Sequence, residues 1–490
     1  MAGSVRGTQL ARLLGDWQGA GRRPGGGSGR RPGPEYAQLA AAVRGLLTDG
    51  RLALGVRLPA ERELALALGL SRTTVTAAYR TLRESGHLTS RRGAGSWTAL
   101  PGGHRVGTSG LWAPMEDADV IDLGQAALPA PPELTDAVAA AAEDLPAYLT
   151  SAGYHPMGLA VLREAVAAGY TRRGLATLPD QIMITSGVQH ALDLVLRLLV
   201  APGQRVLLEM PTYPNALTAI LASRARVVGY ALGDAGWDGE LLLSTVREAR
   251  ARLAYLIPDY HNPTGHLMDT ALRERLPAAA HAVGTDVVVD ETFTEVRLDG
   301  PELPPALATF DRAARVLTIG GMSKPYWGGL RIGWIRAATS VVARLAVARV
   351  AVDMSSPVLD QLVAAHLMSH RERVVAARRE QLTARRDTLV AALRAHLPEW
   401  RFVVPHGGMS LWVELDAPVA SALARAVEEL GVRVAPGPRF GADGTMERFL
   451  RLPYTLPEAD LVEAVRRLAQ ARESLDRAPV RPLRPPAIVA

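Results

Sequence analysis

Between residues 118 and 477, short runs of β-branched and aliphatic residues (QIMITSG, RVLLEMP, RVVGYAL, LAYLIPD, DVVVDET, RVLTIGG) recur between stretches of helical periodicity such as LTDAVAAAAEDL and ALDLVLRLLVAPG. No other feature constrains the fold as much. A strand apolar along its whole length needs cover on both faces, and alternation with helices supplies it by placing them above and below a parallel or mixed sheet. The body is therefore expected to be a large α/β domain spanning 118–477.

Two breaks set off what precedes it. Residues 19–34, GAGRRPGGGSGRRPGP, are Gly/Pro/Arg low complexity with nothing large and apolar to anchor a core, so 1–34 reads as an N-terminal segment ending in a mobile basic linker. Residues 99–117 read as an interdomain linker and 478–490 as a disordered tail, which leaves 35–98 as a small separate domain. Charge follows the same division. Residues 1–98 hold 15 Arg against 6 acids, whereas the remainder holds 40 basic residues against 43 acids. A basic head on a nearly neutral body points to a polyanion, either nucleic acid or a membrane surface, and composition alone does not choose between them.

In the head, YAQLAAAVRGLLTDG, LPAERELALALG and SRTTVTAAYRTLRESG each carry helical spacing and stop at a glycine; the third opens on Ser71 as N-cap. Two short helices joined by a glycine turn make a helix-turn-helix, and the third helix would present Arg72, Thr73, Thr74 and Thr76 to base edges with Val75 and Tyr79 facing inward. HLTSRRGAGSWTAL reads as a two-stranded wing with an arginine tip. This stretch closely resembles the winged-helix domain of GntR-type bacterial regulators, whose pattern LPxxRxLAxxLGxSRxTVxxAYxxL, followed by a G-x-G wing, stands here nearly intact. The resemblance implies double-stranded operator DNA as partner and no membrane. It places Arg62 and Arg72 on bases or phosphates, Ser71, Thr73 and Thr74 on backbone phosphates, and Arg91, Arg92 and Gly95 at the minor groove.

The body holds the only lysine of the 490-residue chain, Lys324 in GGMSKPYWGGLRIGW. Arginine serves as well as lysine for an exposed cation, but only a lysine amine loses its proton readily enough to attack a carbonyl and form a Schiff base. Around it, TSGVQHALDL ends a strand in a Ser-Gly turn that opens a helix, a site where Ser186, Gly187 and Val188 can hold a phosphate. Tyr213 in PTYPNA offers a ring to stack on, Asn262 in HNPTG an amide, Asp290 in VVVDETF a carboxylate at the end of a buried strand, and Arg331 in GLRIG a second phosphate ligand. Together they describe a pyridoxal 5′-phosphate site, with Asp290 at the pyridine nitrogen and Asn262 at the phenolic oxygen. Cysteine is absent, which excludes disulfides and thiolate chemistry, and the eleven histidines lack metal-ligand spacing, so no metal is expected.

Residues 118–475 resemble the fold-type I, class I aminotransferases, which implies a large α/β domain with a smaller C-terminal α/β subdomain. The resemblance also makes Arg451, in FLRLPYT, the partner of a substrate carboxylate with Gly124 beside it, and sends Tyr154, in GYHPMG, across a homodimer interface to the partner's phosphate. The sequence departs from the family's pattern at Thr292 and Phe293, where a phenol is usual, at Gly321, where a phosphate-binding hydroxyl is usual, and at Val188, where threonine is common.

A winged helix fused to such a body is the architecture of the MocR subgroup of GntR regulators. The leading expectation is a regulator that senses pyridoxal phosphate, or an amine or amino acid bound to it, with closure of the body reaching the head through the 99–117 linker. The alternatives are an active amino acid aminotransferase with an accessory DNA-binding domain, and a degenerate body used only for dimerisation, which Lys324 argues against. The opening MAGSVRGTQLARLLGDW lacks a signal peptide's apolar core, and no long apolar run appears, so a cytoplasmic location is expected.

Overall fold

The computed structural model describes residues 4–15, 17, 34–91, 95–101, 120–441 and 445–477. Most of the two linkers, the tail, Arg92 and the side chain of Arg91 lie outside the described residues.

The head is built from α1 (Gly7–Leu14), α2 (Glu35–Thr48), α3 (Glu61–Leu68), α4 (Arg72–Glu84) and an antiparallel hairpin of β1 (Leu88–Arg91) and β2 (Gly95–Thr98). Helix α3 stops at Gly69, whose φ of 65° is left-handed backbone that only glycine adopts without strain. Two residues later Ser71 caps α4, its Oγ accepting from Thr74 N at 3.0 Å. The turn between the two helices is therefore fixed from both sides. Leu39, Val43, Leu64, Val75 and Tyr79 share one buried cluster, and the Tyr79 hydroxyl donates to Pro59 O at 3.0 Å. Val5, Leu10 and Leu14 belong to the same cluster, so α1, from the segment read as preceding a linker, completes the core of the head.

The body's large part is a seven-stranded sheet of β4 (Ile182–Thr185), β5 (Arg205–Met210), β6 (Arg226–Ala231), β7 (Leu253–Leu256), β8 (Asp286–Asp290), β9 (Val316–Gly321) and β10 (Gly333–Arg336), in the order β4-β10-β9-β8-β7-β5-β6. All neighbouring pairs are parallel except those of β10, which runs antiparallel to β4 and β9. The six apolar runs of the sequence are six of these strands. Their alternate residues divide between two buried clusters, one on each face, as helices above and below require.

The smaller subdomain has a five-stranded sheet, in the order β11-β12-β14-β13-β3, of β11 (Arg401–Phe402), β12 (Ser410–Glu414), β13 (Val432–Pro436), β14 (Phe449–Pro453) and β3 (Ile121–Leu123). β3, from the start of the body, pairs in parallel with β13, Ile121 opposite Val432. The subdomain is thus closed by both ends of the body. No helix among the described residues is long and apolar enough to cross a membrane.

Candidate functional site

The C-terminal ends of β4, β5, β8 and β9 lie along one edge of the large sheet, where open α/β sheets bind ligands. Lys324 follows β9, half-buried, with Nζ donating to Ala126 O at 2.7 Å and lying 5.8 Å from the centroid of the Phe293 ring. Burial, followed by the nearby Arg451 guanidinium, lowers its ammonium to about 8 against the opposing pull of Asp290. A lysine lowered this far has a larger neutral fraction near neutral pH than a free lysine.

Asp290 ends β8 and is buried. Burial raises its pKa, and three donors oppose the rise: Tyr255 Oη reaches Oδ2 at 2.6 Å, while Thr292 N, at 2.9 Å, and Thr292 Oγ1 reach Oδ1. Thr292, at a position where the family often has a phenol near the cofactor, is here engaged with the carboxylate. Asn262 is buried, and its Oδ1 has no protein partner. Tyr213 caps the helix Pro214–Ala222, and its hydroxyl accepts from Asn215 Nδ2 at 2.8 Å. Burial raises its phenol, with smaller contributions from the charges of Asp290, Arg451 and Arg331, so the four side chains lie in one neighbourhood.

The turn expected to hold a phosphate forms where β4 runs into the helix Val188–Leu199. Gly187 has φ 92°, and a Cβ there would meet Arg331 Nη2 at 2.8 Å. Arg331, exposed at its tip, donates to Ser186 O at 3.0 Å. Ser186, Gly187, Val188 and Arg331 are therefore assembled around one helix N-terminus, whose free N–H groups and dipole favour an anion. Arg451, on β14, is buried, donates to Gly124 O at 2.5 Å and stacks over Phe440 at 5.2 Å, with Nε unpaired. Tyr154 is exposed, 61 % accessible, in the loop before the helix Ala160–Arg172.

Three contributors escape a sequence reading. Tyr255 sits inside an apolar strand, where it reads as core. Arg349, fully buried, binds Asp353 through Nε and Nη2 at 2.7 and 3.0 Å, and Asp353 in turn accepts from Ser186 Oγ at 3.2 Å, so a pair far along the chain supports the phosphate turn. Gln189, in the first turn of the helix Val188–Leu199, keeps a buried Oε1 without a partner. Only Gln189 carried a signal, its place next to the Ser-Gly turn.

In the head, Arg62, Ser71, Arg72 and Thr73 are exposed and Thr74 is half-buried at the start of α4. Thr76, expected to face bases, instead donates to Glu61 Oε2 at 2.7 Å, and Glu61 also lies 4.0 Å from Arg72 Nε. Gly95 packs against Arg57, whose Nε lies 2.8 Å from where a Cβ would stand.

Residues 118–468 match the model of the aminotransferase class I and II family. The chain belongs to that family. Residues 35–97 match the gntR family of bacterial regulatory proteins, so this aminotransferase-family chain has the MocR arrangement. Among its relatives is the uncharacterized HTH-type transcriptional regulator YisV of Bacillus subtilis, 28% identical over 475 residues, covering 90% of this chain and 96% of that one. The probable rhizopine catabolism regulatory protein MocR of Rhizobium meliloti is 28% identical, with 82% and 86% covered. Among solved structures, LysN, an α-aminoadipate aminotransferase from Thermus thermophilus complexed with N-(5′-phosphopyridoxyl)-L-leucine, superposes with a TM-score of 0.67 at 32% identity, covering 73% of this chain and 93% of LysN.

Proposed function

We propose that the protein is a transcription regulator whose head binds double-stranded operator DNA and whose body binds pyridoxal 5′-phosphate and, through it, an amine or amino acid effector. One observation carries this reading: Lys324, brought down to about 8, shares a pocket with Asp290, the unpaired Asn262 Oδ1 and the unpaired Arg451 Nε, in a chain whose other end exposes a recognition helix. Buried polar atoms without partners are costly unless a ligand meets them.

The residues fit pyridoxal phosphate group by group. Ser186, Gly187, Val188 and Arg331 would hold the phosphate, Tyr213 would stack on the ring, Asn262 would meet the phenolic oxygen and Asp290 the ring nitrogen. When bound, the cofactor supplies a carbonyl that captures amines and a ring that withdraws electrons. Lys324 gives or takes a proton at its Nζ, a role for which a pKa near neutrality is suited. Tyr255 and Thr292 donate to the Asp290 carboxylate and oppose the rise in its pKa that burial causes. Arg451 receives a carboxylate, and Phe293 with the backbone at Ala126 keeps water from Lys324.

A homodimer joined through the body belongs to the same proposal. It is supported by the exposed Tyr154 and by Val347, Val350 and Met354, large apolar side chains left open to solvent. Footprinting on the DNA upstream of the protein's own coding sequence, with and without pyridoxal phosphate, tests the regulator. Protection that depends on the cofactor is expected; no protection under either condition overturns the reading. An active aminotransferase is the second reading, favoured by the complete set of Lys324, Asp290, Asn262 and Arg451, and sustained keto-acid release from amino acids would establish it.

A further inference from the structure

The head rests on both parts of the body. Against the large part, the backbone N–H and hydroxyl of Ser4 both donate to Glu248 Oε2 at 2.9 Å, and Arg12 pairs with Asp238 at 3.1 Å. Against the smaller subdomain, Met446 N donates to Thr48 O at 2.7 Å, and Arg448 Nε lies 3.3 Å from Asp49 Oδ1. The Met446 side chain fills the hollow of the turn, where a Cβ on Gly50 would meet its Cε at 2.5 Å. Thr48, Asp49 and Gly50 terminate α2, and α2 packs along the recognition helix α4 through the shared core of Leu39, Val43, Val75 and Tyr79. Displacement of this turn therefore tilts α4.

The same stretch of the subdomain leads straight to the candidate site. Phe449 N donates to Met446 O at 3.0 Å, β14 begins at Phe449, and Arg451 lies three residues beyond Arg448. Lys324 belongs to the large part and Arg451 to the smaller one. A ligand whose amine nitrogen sits at Lys324 and whose carboxylate sits on Arg451 spans the two and fixes their separation. A head bonded to both parts can satisfy both sets of contacts at one separation only.

We infer that the seat of the Thr48–Gly50 turn on Met446 and Arg448 is the contact through which occupation of the body site alters DNA binding. The inference rests on the regulator reading above and names the route, which is direct and does not need the 99–117 linker. Space for the displacement exists: a cavity of about 260 Å³ opens at the junction of head, large part and subdomain, lined in part by Asp49, Arg51, Asp234, His266, Trp412 and Glu414. Burial raises the Asp49 carboxyl to about 6 in spite of Arg448.

Because the chain has no cysteine, Thr48→Cys with Met446→Cys introduces the only two thiols, on backbones already in hydrogen-bond contact. Operator affinity is measured on cofactor-free protein and on protein loaded with N-(5′-phosphopyridoxyl)-L-leucine, with the double variant reduced or oxidised. The reduced form should show the wild-type shift in operator affinity, on the order of 5- to 150-fold. The oxidised form should bind both ligand and operator while the shift falls below about twofold. Arg448→Ala, outside the ligand site, should also diminish the shift while leaving ligand binding unchanged. A full shift in the oxidised protein, or in Arg448→Ala, overturns the route and leaves the regulator intact; a wild-type protein with no shift at all overturns the regulator and the route with it.

Discussion

A methyl group of Val188 occupies the space that a side chain at Gly321 would need: a Cβ at 321 would stand 2.7 Å from Val188 Cγ2. The two departures from the aminotransferase pattern are one complementary change. In place of a hydroxyl on each side of the phosphate cup, the chain packs a methyl group against a bare backbone. Gly321→Ser alone should therefore be overpacked, costing about 1–3 kcal/mol in a melting experiment. Combined with Val188→Ala, the serine should recover most of that loss and tighten pyridoxal phosphate binding. Additive effects in the double variant would show that the two positions do not share the space.

Lys324 should govern how fast cofactor-free protein takes up pyridoxal phosphate, because only the neutral amine attacks a carbonyl. With its ammonium lowered to about 8, the rate should rise with pH up to that region and then level off. Arg451 pushes the value down and Asp290 pulls it up, so Arg451→Met should move the midpoint to higher pH and Asp290→Asn to lower pH. Stopped-flow absorbance across pH 6–10 reads both shifts. Lys324→Arg should abolish the cofactor's bound absorbance band with the fold retained.

Tyr255→Phe removes the donor to Asp290 Oδ2 and leaves the ring's volume in place. A buried carboxylate that loses a hydrogen bond is worth about 1–3 kcal/mol. Cofactor affinity should fall by that amount, and the pH dependence of the absorbance band should change, since Asp290 then ionises less readily. An unaltered pH profile would assign Tyr255 to packing alone.

On α4, Arg72→Ala should weaken operator binding by about 1–3 kcal/mol if the guanidinium reads a base edge. Equal loss on operator and on random DNA, seen by fluorescence anisotropy, would reassign it to a phosphate. Glu61 holds Thr76 and lies beside Arg72, so Glu61→Ala should reduce discrimination between the two DNAs while raising affinity for random DNA, from which a repelling carboxylate has been taken away.

Much of this was legible in the residues, for identifiable reasons. The six apolar strands announce themselves because strands covered on both faces are mostly apolar, and Lys324, Asp290 and Asn262 stand at the ends of such strands or in the turns after them. What escaped the sequence depends on long-range geometry. Tyr255 looks like core because its single polar atom is used 35 residues away. The Arg349–Asp353 pair supports Ser186 from 167 residues away, and no local pattern records it. Helix α1 is only eight residues long, too short to be stable alone, and its role appears only once Leu10 and Leu14 find the core of the head. Thr76 has the helical position of a base reader, but a carboxylate on the neighbouring helix claims its hydroxyl.

The parallel pairing of Ile121 with Val432 has a consequence for the order in which the protein comes into being. Synthesis delivers β3 at the beginning of the body, yet its neighbour in the sheet arrives more than three hundred residues later, and β14 with Arg451 later still. The head draws all its helices and its wing from the first hundred residues, with mostly local contacts that form early. At bacterial translation speeds the interval is roughly 20–70 s. On the proposed reading, each new molecule has its DNA-binding domain on the ribosome before its ligand site exists, and it gains sensitivity to a ligand only when the last strands are released.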